Sequence, residues 1–483
     1  MLSLLVFNFP PALAQGLPSL GDSDRAELSP LMERRLGEQI MRDIRRDRDY
    51  LDDAPLLEYL NRFGTSLVEI HPEARGEANF DYFFFPVRDR TLNAFALPGG
   101  FIGVHTGLVL AAQNESELGS VLAHEIGHVS QRHIARMLGK QRQDSLIPLA
   151  AAVLAALAAS ASPDAASAVM MGGQGLAIQR QLNFSRDAER EADRIGVQIL
   201  RDAGFDTSGM IGFFGRVQSV SRVYGDGAPA YLRSHPMTTE RIADIQARTS
   251  GDRYRQRVDS LDFHLVRARA RVLQNTSAQG LREAGSVFDT QLRQEGTPQA
   301  VAALYGHAFI ALREGKAERA RDWLGKAIAA TKQENAILTS LGIDVALASR
   351  KPDVAVTMAE RAKAEFPLSR GIARQYAEAL LADGQTEKAI AYLRDQAQLY
   401  RQDARLQDLL ARAYAAQGKQ ALQHLALAEA YALTGSLPAA IDQLGIARRA
   451  GDASFHELAV IDAREREFKA RWMEQMKETQ EAN

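Results

Sequence analysis

The segment His124-Glu125-Ile126-Gly127-His128 carries the residue types and spacing best suited to chemistry in this chain. In a helix, residues four apart leave the same face one turn apart, the separation two imidazoles need to share one Zn2+ ion. Glu125 then stands beside the ion, placed to take a proton from a bound water and to pass it to a leaving amine. So short a pattern also arises by chance, so its surroundings decide. Here they agree. Asn114 with Glu117 makes a capping-box-like start, Leu118, Val121, Leu122 and Val129 offer apolar surface, and Gly139 suits the position after a helix end. The expectation is one helix from Asn114 through Ile134 to Gly139.

A catalytic zinc site needs a third protein ligand and an open position for water. The chain has no cysteine, so every ligand is His, Asp or Glu. The metzincin spacing would put a histidine at 134, where Ile134 stands; His133 is one residue off, and that class is rejected. Carboxylates come instead from the run SRDAEREAD at 185–193, read as the start of a second helix that ends near Gly204. Glu189 and Asp193 share a helix face, while Glu191 points elsewhere. Glu189 is therefore the expected ligand, and Asp193 the expected acceptor of a hydrogen bond that fixes the tautomer of a ligand imidazole. His235-Pro236 follows a Gly/Pro-containing loop at 225–229 and precedes a helix carrying Arg241. Three readings stay open. His235 or Arg241 stabilises the oxyanion of the tetrahedral intermediate, or His235 fills the fourth zinc position of a resting enzyme, or His235 caps the helix that follows.

Around these residues the periodicity suggests the supporting elements. Residues 30–63 read as charged helices, with Leu36, Ile40, Ile44 and Leu51 at near-helical spacing and the Arg42 to Arg48 run on a solvated face. Two stretches, 80–86 and 92–105, are rich in aromatic and β-branched residues and are punctuated by Pro98-Gly99-Gly100, which predicts a small antiparallel sheet. Its segment Asn93, Ala94, Phe95 and Ala96 runs just before the catalytic helix and is the expected edge on which a substrate backbone pairs as an added strand. The Ala-rich stretch 146–161, with Pro148 inside it, is too weakly apolar for a span and predicts a buried or membrane-surface hairpin, the basis for a peripheral membrane contact.

Beyond Gly251 the composition turns to Ala, Leu, Arg, Glu and Gln. Gly315, Gly384 and Gly418 each close a helix, and the aligned turn between the first two falls at Arg350, so the spacings are 35, 34 and 34 residues. That is the period of tetratricopeptide helix pairs. Ala308, Ala377 and Ala411 precede the turns, and Ala320, Ala355 and Ala389 follow them, small residues that let paired helices approach. A further unit around Ala428, Gly435 and Ala440 arrives early, so the array ends irregularly.

Composition narrows the function classes. A chain of 483 residues should hold more than one domain, and 46% hydrophobic with 24% charged residues is ordinary for a globular protein. Lys and Arg number 58 against 60 Asp and Glu, a formal charge of −2, which offers nucleic acid no basic field. The mean hydropathy of −0.23 excludes a multi-span membrane protein. Residues 1–15 are apolar and end in Ala12-Leu13-Ala14, as before a signal-peptidase cut, although no Lys or Arg precedes the apolar stretch.

NAFALPGG at 93–100, HEIGH at 124–128, EREAD at 189–193 and SHPMTTER at 234–241 together resemble the HtpX- and CAAX-prenyl-protease-type zinc metallopeptidases, in the soluble subgroup fused to tetratricopeptide repeats. The peptidase resemblance covers about residues 20–250, the repeat resemblance about 260–450. It implies one zinc ion held by His124, His128 and Glu189, with Glu125 as general base. The expected architecture is mostly α: a signal peptide at 1–15, an α+β peptidase domain at 16–250 and an all-α repeat domain at 251–483. The resemblance further implies an exported, periplasmic endopeptidase of a Gram-negative bacterium, acting on unfolded or stalled outer-membrane proteins, with the repeats recruiting clients or an outer-membrane assembly complex. The alternative is a chaperone or adaptor whose peptidase site is largely latched. Prenyl-peptide processing is disfavoured, because no set of long apolar helices is present.

Overall fold

The computed structural model describes residues 28–139, 186–224, 231 and 234–481, save 77, 256, 295 and 332. The expected export segment at 1–15, the Ala-rich stretch at 146–161 and the loop at 225–229 lie outside these residues.

Two helices open the described chain, α1 (Pro30–Ile44) and α2 (Ala54–Ile70). Each has proline in its first turn behind a side-chain cap: Ser29 accepts from the Met32 amide and Asp53 from that of Leu56. Ile40 and Met41 of α1 pack on Phe85, Leu97 and Phe101 of a three-stranded sheet. Its strands are β1 (Phe83–Val87), β2 (Ala94–Leu97) and β3 (Phe101–His105), in the order β1-β3-β2. The expected antiparallel sheet is in fact mixed: β2 pairs antiparallel with β3, and β1 pairs parallel with it. Every residue of β3 is buried, so it belongs at the centre. The turn at Gly99 and Gly100, with φ of 76° and 92°, brings it back between its predecessors. The insertion leaves β2 as an edge.

A short helix, α3 (Thr106–Ala111), leads to α4 (Glu115–Ser130), all of whose residues are buried. Asn114 caps α4 by accepting from the Glu117 amide at 2.9 Å, and the Glu117 carboxylate returns to the Gln113 amide at 2.7 Å. The helix expected to reach Gly139 instead breaks after Ser130. Arg132 takes a left-handed φ of 52°, and α5 (His133–Gly139) starts on a new axis. The Arg132 side chain explains the turn: its Nε donates to buried Glu33 at 3.0 Å and its Nη2 to the Leu28 carbonyl.

The second helix of the site, α6 (Arg186–Asp202), packs along α4, and α7 (Ser208–Tyr224) and α8 (Thr239–Thr249) close the centre. Two glycines allow the close approach of α4 and α6. A Cβ on Gly127 would stand 2.9 Å from the Ala192 carbonyl oxygen, and one on Gly196 3.2 Å from the His124 nitrogen.

The second half is a stack of helices: α9 (Leu261–Gln274), α10 (Ala278–Leu292), α11 (Pro298–Arg313), α12 (Ala317–Ala329), α13 (Ala336–Ala348), α14 (Pro352–Glu365), α15 (Arg370–Ala382), α16 (Thr386–Leu399), α17 (Ala404–Ala416), α18 (Gln420–Leu433), α19 (Leu437–Arg449) and α20 (Phe455–Glu481). Gly315, Gly384, Gly418 and Gly435 have φ between 69° and 79°, and Arg350 occupies the same left-handed slot at 56°. The mostly α class with one small sheet is therefore observed, and the repeat frame is aligned at its non-glycine turn.

The expected division at 250/251 falls between α8 and α9, yet one apolar core runs across it, from Leu51 and Phe63 through Phe263 to Val345. Polar contacts also bind the halves. Arg269 holds Asp53 at 2.7 Å, Arg374 holds Asp52 at 3.0 Å, and the Gly371 amide donates to Glu58 at 2.7 Å. Arg42 and Arg46, expected on a solvated face, lie against Gly435, where a Cβ would come within 3.1 Å of Arg46 Nη2. Among the described residues no helix is long and apolar enough to cross a membrane.

Candidate metal centre

α4 presents His124 and His128 on one face, with their Nε2 atoms 3.0 Å apart. α6 brings Glu189 to the same point, 3.5 Å from His124 Nε2 and 3.4 Å from His128 Nε2. His235, just before α8, adds its Nδ1 at 3.3 Å from His124 Nε2 and 3.0 Å from Glu189 Oε1. One atom from each of these four buried residues lies within 4.8 Å of all the others. Ligands at 2.0–2.1 Å on a tetrahedron stand about 3.3–3.4 Å apart, so the spacing fits a four-coordinate ion.

Charge makes the same case. Glu125, Glu189 and Asp193 are buried together beside Arg241. A buried carboxylate is costly without a partner, so a cluster of three suits a divalent cation. Burial opposes a charge on His124, yet Asp193 and Glu189 raise its pKa to about 9. Burial would push Glu189 up, but His235 and the His124 and His128 rings beside it hold it well below the ordinary carboxylate value. At Glu125 burial wins over the opposing influence of His235 and His124, and its pKa is raised. The Ala96 amide is directed at the Glu125 carboxylate, and His235 Nε2 stands 3.4 Å from Oε1.

The residues expected from sequence divide by position. His124, His128 and Glu189 converge, and His235 joins them. Asp193 Oδ1 is 2.9 Å from His124 Nδ1. Arg241 grips Asp193 through Nε and Nη2, both at 2.8 Å, and reaches Glu189 through Nη1 at 2.6 Å. The cap of α8 is the Thr238 side chain, which accepts from the Arg241 amide at 3.2 Å, so His235 does not serve as that cap. Asn93 adjoins β2, which begins at Ala94, and the Ala96 amide faces the Glu125 carboxylate. The Asn93 Oδ1 is buried without a partner among the described residues.

Three residues of the site escaped the sequence reading. His133 lies 2.8 Å from His128, nitrogen to nitrogen, and 3.0 Å from Glu191, which was expected to point elsewhere. Burial lowers the His133 pKa to about 4. The Tyr231 ring packs against His235 with centroids 4.7 Å apart and the planes tilted by 32°. No local spacing marks these residues, because their positions depend on the break at Arg132 and on the return of the chain to α8.

A histidine pair on one helix, a carboxylate from a second and a glutamate beside the pair define a metallopeptidase site. Residues 70–249 match the sequence profile described as peptidase family M48. Over 451 residues the chain is 32% identical to the beta-barrel assembly-enhancing protease of Escherichia coli (strain K12), covering 93% of this chain and 91% of that protein. The protein of the same description from Yersinia pestis is 31% identical over 448 residues, covering 93% and 90%. The mitochondrial metalloendopeptidase OMA1 of Schizosaccharomyces pombe is 33% identical over 160 residues, covering 33% of this chain and 44% of that protein. The chain belongs to peptidase family M48, and its full-length likeness is to the beta-barrel assembly-enhancing proteases. The family expected from the four motifs is borne out.

Proposed function

We propose that this chain is a zinc endopeptidase of the bacterial periplasm that cleaves unfolded or stalled outer-membrane proteins, brought to it by the repeat half. The observation that carries the reading is the convergence of four buried candidate ligand atoms within 4.8 Å, with Glu125 beside them. His124, His128 and Glu189 are the zinc ligands, and Asp193 orients His124. A bound zinc ion supplies Lewis acidity for the attacking water and the scissile carbonyl. Glu125 takes the proton from the water and delivers it to the leaving amine. Its raised affinity for a proton suits that task. Edge strand β2, with Asn93, Ala94, Phe95 and Ala96, pairs with the substrate backbone beside Glu125, which gives affinity with little sequence preference.

His235 serves in this arrangement as a fourth ligand. A site closed by four protein ligands is inert until one leaves. Arg241 is committed to Asp193, Glu189 and the Pro236 carbonyl, so we assign it to holding carboxylates rather than to the oxyanion. The position of His235 also favours a second reading, an assembly factor for outer-membrane proteins whose peptidase rests latched. The names of the full-length relatives, the repeat stack and the leader-like residues 1–15 support the location and the assembly partner. Export of the chain with loss of residues 1–14 checks the first.

The central test uses the full chain. Glu125→Gln should retain one zinc by metal analysis and lose roughly 10²–10⁴-fold in peptide hydrolysis. His235→Ala should raise hydrolysis of an unfolded protein with the metal kept. Retained activity in Glu125→Gln refutes the mechanism; an inactive His235→Ala that keeps its zinc refutes the latch. Because the two halves share a core, removal of the repeats would unfold the peptidase. Rescue of outer-membrane assembly by Glu125→Gln is the cleaner measure of the second reading.

A further inference from the structure

The two histidines of α4 are supported in different ways. His124 Nδ1 meets Asp193, a buried carboxylate clamped by Arg241. His128 Nδ1 meets another imidazole, the Nδ1 of His133 at 2.8 Å. The far nitrogen of His133 lies 3.0 Å from Glu191 Oε2, which also accepts from Arg136 Nη2 at 2.8 Å. Two ring nitrogens at hydrogen-bond distance share one hydrogen, so one ring donates and the other accepts. An ionised carboxylate only accepts, so Glu191 keeps the hydrogen of His133 on Nε2 and leaves Nδ1 bare. His128 must then donate from its own Nδ1, which leaves its Nε2 lone pair directed at His124 Nε2 and Glu189.

We propose that His133 is a positioning residue of the metal centre: relayed by Glu191, it holds His128 in the tautomer and orientation that offer Nε2 to the metal. The inference rests on the zinc reading above. It gives the left-handed turn at Arg132 a task, since only a break after Ser130 brings the His133 ring back over His128. It also ties α5 to the metal centre, because the Arg136–Glu191 pair fastens that helix to α6. Glu191 and Arg136 are partly exposed, with 31% and 41% of their side-chain surface open, so this support reaches the protein surface while that of His124 does not.

The test is competition for zinc between the full chain and a chelator of known affinity, with the thermal midpoint of the metal-free protein as control. His133→Ala should bind zinc about 10–100-fold more weakly than wild type, the size of effect expected for an outer partner of a metal-bound histidine. His133→Gln should restore affinity to within about threefold, since its amide oxygen can accept from His128 and its NH2 donate to Glu191. Glu191→Ala should lose less than His133→Ala. The double variant should be no worse than His133→Ala alone, because Glu191 acts through the ring. Wild-type affinity in His133→Ala, or losses that add in full, would overturn the relay. If His133→Ala does not fold, Glu191→Ala decides, and an affinity equal to wild type overturns the relay. A wild-type chain that binds no zinc removes the zinc reading and the relay together, a result distinct from a zinc-binding wild type matched by its variants.

Discussion

The peptidase half and the repeat half use glycine in opposite ways, and the peptidase half concentrates buried charge at one point. In the peptidase half, Gly127 and Gly196 lie inside helices and bring α4 and α6 together, and the space between those helices holds His124, Glu125, His128, Glu189 and Asp193. In the repeat half, Gly315, Gly384 and Gly418 lie at turns, open on all sides, and the helix pairs bury mainly alanine and leucine. A centre that must hold five polar side chains to within a few tenths of an ångström depends on every neighbour. A stack in which each pair touches its own neighbours absorbs change locally.

The most severe challenge to that contrast is Gly127→Ala. Its methyl group would collide with the Ala192 backbone, and we expect a loss of about 1–3 kcal/mol in stability with weakened metal retention, read by calorimetry with metal analysis. Full metal occupancy at unchanged stability would remove the claim that α4 and α6 are packed to the limit.

A middle-sized effect comes from the repeat half. Burial raises the pKa of Asp344 to about 6, against the opposing charge of Arg269 and a hydrogen bond from Gln375 at 2.6 Å. A folded-state pKa above the unfolded value of about 4 means that the folded form binds more protons, so stability falls as pH rises from about 4 to about 6. Asp344→Asn should abolish that slope and stabilise the protein by about 2–3 kcal/mol at pH 7, measured by denaturant titration across pH. Peptide hydrolysis should not change. A wild-type protein whose stability is flat over that range contradicts the assignment.

The smallest effect is at Arg350, where a residue with a side chain sits at a φ of 56°. Arg350→Gly should gain about 0.5–1 kcal/mol, since left-handed backbone costs a non-glycine residue about 1–2 kcal/mol and glycine's greater freedom when unfolded returns part of it. A thermal midpoint lower than wild type would show that the Arg350 side chain contributes more than its backbone costs.

The same contrast explains what could be read from the sequence. The convergence of α4 and α6 residues was legible because helical spacing places His124 with His128, and Glu189 with Asp193, whatever surrounds them. The repeat frame was legible down to Arg350, because a fixed period locates a turn even where its glycine is missing. Strand order was not, since the local pattern of β3 does not say that it pairs with β1 as well as with β2. His133 and Glu191 were hidden for a related reason. Their meeting requires α4 to stop at Ser130, and what stops it is a bond from Arg132 to Glu33, ninety-nine residues away in sequence.

Asp53, Glu58 and Arg46 touch the repeat stack at three successive heights, at Arg269, Gly371 and Gly435. Inserting or deleting one 34-residue unit between α9 and α18 would move Gly371 or Gly435 out of register with α2 and α1. Most solenoids can lengthen or shorten freely over evolution. Here the enzyme body acts as a ruler against which the number of repeats is measured.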